Sequence, residues 1–261
     1  MTTLDVAFAG DEGTIMVVRL NRPEVLNAMN TRMMEEMLAL FREQASNDAL
    51  RAAVITGAGG RAFSTGADLK ERDTFTEADW RRQHRLAEEK MLAVRDFPVP
   101  VIAAVEGYAY AGGCELALMC DFIVAGTSAR FALTEVRRGI VPGGGGLQNL
   151  PRAIGVRRAK ELVYTGRPLD AATAYAWGLV NRVVPDGEAL ATALAIAEEI
   201  AASAPLAVRM AKVALTLGPD ADFRTGYALD IASHYALIGT EDRREGVRAF
   251  NEKRPPRWQN R

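Results

Sequence analysis

The sequence predicts an α/β fold. The unbroken apolar run Val101 to Val105 reads as a strand buried on both faces, and Arg51 to Thr56 reads as another buried strand. Segments with apolar residues at helical spacing lie between and after them, and joints rich in glycine or proline separate the two patterns. A chain of 261 residues with 49% hydrophobic content can enclose a large core, as one large domain or two small ones. Its 32 Lys and Arg residues balance 33 Asp and Glu, which leaves no charge excess to hold a nucleic-acid backbone or an anionic membrane. Neither is expected as a partner. Cys114 and Cys120 lack metal-ligand or redox spacing and read as packing residues of a protein in a reducing cytosol. The N-terminal MTTLDVAFAGDEG has no basic region followed by an apolar core, and no apolar run reaches membrane-spanning length, so a cytoplasmic location is expected.

In chain order, Val6 to Ala9 and Ile15 to Leu20 flank the turn residues Gly10 to Gly13, a hairpin signal. In NRPEVLNAMN, Pro23 blocks a regular strand and Asn27 and Asn30 favour turns. A helix opens near Thr31, with Met33, Met34, Met37, Leu38 and Phe41 on its core face. After the strand at 51–56 comes the glycine-dense loop GAGGRAFSTGADLKE. Gly57, Gly59 and Ala62 satisfy a dinucleotide-binding spacing, but they lead into AFSTGAD and not into a long amphipathic helix. The better reading is an exposed backbone segment in which Ala67 presents an N–H, with Asp68 and Lys70 near a helix start. Thr76 to Arg95 reads as a helix with solvated charges and Trp80, Leu86, Met91, Leu92 and Val94 as its apolar members, ended by Pro98 and Pro100. His84 and His234 are the two histidines, so no zinc-ligand cluster is expected, and Ser64 has no recognisable base beside it.

The stretch VIAAVEGYAYAGGCELALMCD, Val101 to Asp121, begins as a buried strand and ends as a helix-like segment, Glu115 to Cys120. Between them Gly112 and Gly113 remove Cβ atoms, so N–H groups can approach a ligand where the following helix aims its positive end. Glu115 lies just beyond. Backbone donors followed by an acid are what a reaction with a developing oxyanion needs. Phe122 to Ala125 and Arg130 to Leu133 read as extended, and Glu135 is followed by Pro142 and the run Gly143 to Gly146, then by a helix carrying Leu147 and Leu150. Four successive glycines are costly to order, which points to backbone passing very close to something. A Walker loop is excluded because Gly145 stands where it needs lysine. Downstream, Asp170 caps an alanine-rich helix stopped by Gly178, a short strand follows, and helices run over Glu188 to Ser203, Leu206 to Leu217, Phe223 to Ile238 and Glu241 to Asn251. The tail RPPRWQNR cannot continue a helix.

NRPEVLNAMN, AFSTGADLKE, GYAYAGGCELALMCD, FALTEVRRGIVPGGGG, TGRPLDAATAYAWGLVNRVVP and DRREGVRAFNEKR occur in this order, and together they resemble the enoyl-CoA hydratase/isomerase (crotonase) superfamily from about Val6 to Lys253. The resemblance implies a right-handed spiral of repeated ββα turns. Residues 1–200 would form this core with the acyl-CoA site, and 201–261 a helical region that builds homotrimers, often paired into hexamers. By position, Ala67 and Gly112 match the family's oxyanion-hole donors, Glu115 and Glu135 the paired acids of true hydratases, and Gly143 the residue whose N–H helps hold the attacking water. Arg22, Val25, Ala28, Thr65, Asp68 and Leu69 fall in segments that surround CoA, while Phe250 and Lys253 resemble residues that reach the CoA of a neighbouring subunit.

The implied reaction adds water across a trans-2-enoyl-CoA thioester to give 3-hydroxyacyl-CoA, with CoA as part of the substrate and no metal or redox cofactor. Fixed N–H donors stabilise the charge on the thioester oxygen, and two carboxyl groups divide the proton transfers. Glu115 orients and activates water, and Glu135 exchanges the proton with the α-carbon. A single glutamate at a helix start is ordinarily only a partner for the dipole, and the ordered motifs are what raise this pair above that reading. Double-bond isomerisation, another specialised acyl-CoA conversion and noncatalytic acyl-CoA binding stay open, the last disfavoured by the two glutamates. Arg137, Arg138 and Thr134 depart from the residues many relatives carry and bear on the acyl group more than on the reaction. Tyr108 and Tyr110 read as packing residues, with lining of the acyl pocket as the alternative.

Overall fold

The computed structural model describes every residue from Met1 to Arg261. Strands β1 (Leu4–Ala9) and β2 (Ile15–Leu20) form the expected antiparallel hairpin, from Leu4 opposite Leu20 to Ala9 opposite Ile15. Helix α1 (Thr31–Gln44) starts where Asn30 accepts the Met33 N–H at 3.0 Å, and it buries the methionine-rich face read from its spacing. The chain then repeats one path three times. It runs through β3 (Ala52–Gly57), β4 (Ala62–Ser64), α2 (Leu69–Arg72) and α3 (Glu77–Arg95); through β5 (Val101–Val105), β6 (Tyr108–Tyr110) and α4 (Gly112–Met119); and through β7 (Phe122–Gly126), β8 (Arg130–Ala132), a 3-10 turn (Glu135–Arg138) and α5 (Gly146–Ile154). Next come α6 (Val156–Thr165), β9 (Leu169–Asp170), α7 (Ala171–Trp177) and β10 (Arg182–Val184).

The first strand of each repeat enters a six-stranded sheet, order β1-β2-β3-β5-β7-β10, and the second enters a four-stranded sheet, order β4-β6-β8-β9. Pairing is parallel from β3 to β5 to β7 and from β4 to β6 to β8, so the chain winds as a spiral of ββα turns, as the resemblance implies. The apolar runs of β3 and β5 follow from this layering. One face meets the main core, and the other packs Ala52, Val54, Ile102 and Ala104 against Ala189, Ala193 and Ala197 of α8 (Ala189–Ala201). Alanines let that helix lie close to the sheet. Helices α9 (Pro205–Leu217), α10 (Phe223–Ile238) and α11 (Glu241–Glu252) complete the chain.

Several expectations change. Tyr108–Tyr110 is a strand in the second sheet and not part of an irregular joint, and Tyr108 is 41% exposed, so it does not pack in the core. The helix after it opens at Gly112, three residues before Glu115, and lies so close to β4 that a Cβ on Gly113 would collide with the Ser64 carbonyl. Gly155, at φ 82°, separates α5 from α6, a helix beyond those expected from the sequence. The α3 charges are not all solvated, since Lys90 is fully buried, and the polar Gln83 is only 3% exposed. Leu86, Lys90 and Val94 are four residues apart, so helical geometry turns all three to one face.

Candidate active site

The site is organised around the start of α4. Ala111, held at φ 48° and ψ −127°, donates its N–H to Ala132 O of β8 at 2.8 Å and presents Gly112 as the first helical residue, whose N–H has no acceptor one turn back. Gly66, at φ +89°, brings the 66–67 segment against it; a Cβ on Gly66 would lie 2.8 Å from the Gly112 nitrogen. Met29 anchors that segment, since its N–H donates to Gly66 O at 2.7 Å and its carbonyl accepts from Asp68 N–H at 3.0 Å. The Ala67 N–H between these bonds is used by no acceptor in the chain. Two backbone donors on neighbouring segments are thereby left facing one place, an arrangement that can hold an oxyanion.

Glu115 and Glu135 are 4% and 7% exposed. Oε1 of Glu115 accepts the N–H groups of Gly144 at 2.7 Å and Gly146 at 2.9 Å. This explains two of the four glycines: a Cβ at Gly144 would stand 2.9 Å from Glu115 Oε2, and one at Gly146 would stand 3.0 Å from Oε1. Burial raises the Glu115 pKa above its ordinary value against the two glycine N–H groups, Lys90 and His84, which favour the carboxylate. Glu135 sits at the head of its 3-10 turn, and its Oε2 is buried without a partner in the chain. Burial first, and then the negative charge of Glu115, push its pKa up to about 7. The pair can therefore hold one proton between them at neutral pH.

A cavity of about 910 Å³ opens onto these groups. Ala67, Gly112, Glu115, Glu135 and Gly143 line it, with Thr65 and Leu69. Arg22, Val25, Ala28 and Asp68 do not; Arg22 instead pairs with Asp68 at 2.8 Å and donates to Ala28 O at 2.7 Å, while Val25 ends the 3-10 turn Pro23–Val25. Phe250, 84% exposed, and Lys253, the cap of α11 at φ 54°, also lie outside the cavity lining. Cys114 and Cys120 are buried, and burial drives both thiols far above their ordinary range. No group of three His, Cys, Asp or Glu side chains is placed to hold a metal ion.

The enoyl-CoA hydratase/isomerase family description matches residues 10–261. The chain belongs to this family. Among its relatives, mouse mitochondrial enoyl-CoA hydratase domain-containing protein 2 is 40% identical over 256 residues, covering 97% of this chain and 86% of that protein. A short-chain-enoyl-CoA hydratase of Clostridium acetobutylicum is 38% identical over 243 residues, 93% of each chain. The crystal structure of an enoyl-CoA hydratase from Bacillus anthracis superposes with a TM-score of 0.96 at 41% identity, over 99% of this chain and 100% of that one.

Within this family member, two basic groups of the cavity lie outside the motifs that mark the site in the sequence. Lys90 lies on its wall with no exposed surface, and Nζ has only Met29 Sδ as a partner, at 3.5 Å. Arg72 lies over the Trp80 ring at 4.2 Å and donates to Gln83 Oε1 at 2.6 Å. The signal for Lys90 was its register with Leu86 and Val94. Arg137 and Arg138 also line the cavity, and none of these four basic side chains forms an ion pair.

Proposed function

We propose that this protein hydrates trans-2-enoyl-CoA thioesters to 3-hydroxyacyl-CoA. The observation that carries the reading is the meeting of two buried carboxyl groups, Glu115 and Glu135, with the unused N–H groups of Ala67 and Gly112 in one cavity. The thioester oxygen sits against the two N–H groups. Glu115, steadied by Gly144 and Gly146, takes a proton from water as the water oxygen bonds to C3, and the electron pair of the double bond moves toward the thioester oxygen. Glu135 delivers its proton to C2 as the enolate collapses, and proton exchange with solvent restores the starting pair. Gly143 helps to hold the water. Nothing beyond the CoA ester is needed, because the developing charge is met by backbone dipoles and both protons by side chains.

The CoA portion is assigned to the segments carrying Arg22, Val25, Ala28, Thr65, Asp68 and Leu69, with Phe250 and Lys253 serving the site of a neighbouring subunit in a homotrimer or hexamer. Residues 201–261 would supply the helical contacts between subunits. The test is purified protein on crotonyl-CoA and longer enoyl-CoAs, followed by loss of the conjugated absorbance. Hydration of at least one chain length is expected, and none on any of them overturns the proposal. E135Q should abolish turnover and leave CoA-ester binding intact.

A further inference from the structure

Lys90 is the buried group that the reaction above does not use. Its ammonium has no exposed surface, and its one hydrogen-bond partner, Met29 Sδ at 3.5 Å, carries no charge to balance it. An ammonium removed from water without a counter-charge is strongly disfavoured, so the charged form requires a nearby carboxylate. Arg72 on α2 is a second cation and opposes the Lys90 charge. Glu71, beside it, is occupied by Thr31 N–H and Gln83 Nε2, each at 2.9 Å. On α3 itself, His84 pairs with Glu88 at 2.8 Å, and Glu89 meets Arg42 of α1 at 2.7 Å on the surface. Glu135 on the 3-10 turn has Arg138 as its neighbouring cation. On α4 there remains Glu115, which lines the same cavity and whose charge favours the protonated lysine as the lysine favours the carboxylate.

We propose that Lys90 is a positioning residue of the glutamate pair, the buried counter-ion that holds Glu115 as the carboxylate and leaves the shared proton on Glu135. This rests on the hydratase reading, for which the ionised member must be the one facing water and the protonated member the one facing the α-carbon. Chemically similar acids in one dry cavity are thus given different roles, the Lys90 charge adding to the two glycine N–H groups that Glu115 alone receives. Burial lowers the Lys90 pKa to about 8 against the pull of Glu115, so the ammonium persists at neutral pH and is lost in mild alkali. Loss of that charge weakens the bias toward an ionised Glu115 and a protonated Glu135.

K90M retains an unbranched apolar side chain and removes the charge. With crotonyl-CoA, the acid limb of its kcat/KM profile should move up by about one pH unit, roughly a tenfold loss on that limb. An acid limb in its wild-type place, with kcat lowered evenly at every pH, would make Lys90 a packing residue and overturn the proposal. A second measurement depends neither on turnover nor on the folding of K90M. In lysine-15N-labelled protein, Nζ of Lys90 should lose its proton about one pH unit lower in E115Q than in wild type. Identical titrations would overturn the proposal. No hydration of any enoyl-CoA together with a shifted Nζ titration would sink the hydratase reading and leave the electrostatic coupling of Lys90 to Glu115 standing.

Discussion

At Glu135, burial and function oppose each other. Its folded-state pKa of about 7 lies above the ordinary 4.5, so between those values the folded protein keeps a proton that the unfolded chain has released. Stability contributed by this residue is therefore present below the ordinary value and is lost as pH rises through about 7. E135Q cannot ionise, and urea titrations at pH 5 and pH 8 should show its stability relative to wild type increasing with pH, by about 3 kcal/mol at most. A difference that does not change with pH would contradict the raised pKa. Gly66 tests the oxyanion donors at the same scale. Its φ of +89° and the 2.8 Å from a built Cβ to the Gly112 nitrogen mean that G66A both strains the turn and crowds a donor. Its kcat should fall by about a hundredfold to a thousandfold, the usual effect of losing one such donor, with the protein still folded by circular dichroism.

The spiral brings helix α4 against strand β4, and this contact couples the two donor segments. Gly113 permits it, because any Cβ there meets the Ser64 carbonyl. Ser64 is itself fixed, its hydroxyl donating to Asn27 O at 2.8 Å and accepting from Gly66 N–H at 3.2 Å. In G113A the helix must retreat from the strand. A loss of about 1 to 3 kcal/mol in chemical denaturation is expected, as for overpacking elsewhere, together with a fall in kcat larger than the loss of folded protein explains. An unaltered melting temperature would contradict the close approach. The glycines after Glu135 show the same relation: Gly144 and Gly146 lend N–H groups to Glu115, and their missing side chains make room for it.

For the whole molecule, the C-terminal helices leave an apolar surface uncovered. Leu215 is 76% exposed, Phe223 84%, Tyr235 65% and Phe250 84%, and no residue of α10 is buried. Patches of this kind mark association surfaces. Size-exclusion chromatography with light scattering should give a trimer or hexamer at micromolar concentration, and F223D should shift the population toward smaller species. A wild-type monomer under those conditions would refute the assembly.

The amino-acid sequence by itself determined the local elements. Helical spacing set the buried face of α1, Asp170 and Gly178 marked the ends of α7, and the last helix-rich segments appeared close to their observed bounds. These depend on near neighbours in the chain, so pattern and capping suffice. Ordered motifs also singled out both glutamates and the two donor positions. Only the tertiary structure decided what depends on distant segments: that β6 is a paired strand, that the glycine run encloses Glu115, and that Lys90 has no exposed surface. Tyr108–Tyr110 is too short to declare itself without β4 and β8 on either side. The cost of burying the Lys90 charge, and the partner that offsets it, exist only once α4 has been packed beside α3, because electrostatic energy follows distance and desolvation in space rather than separation along the chain.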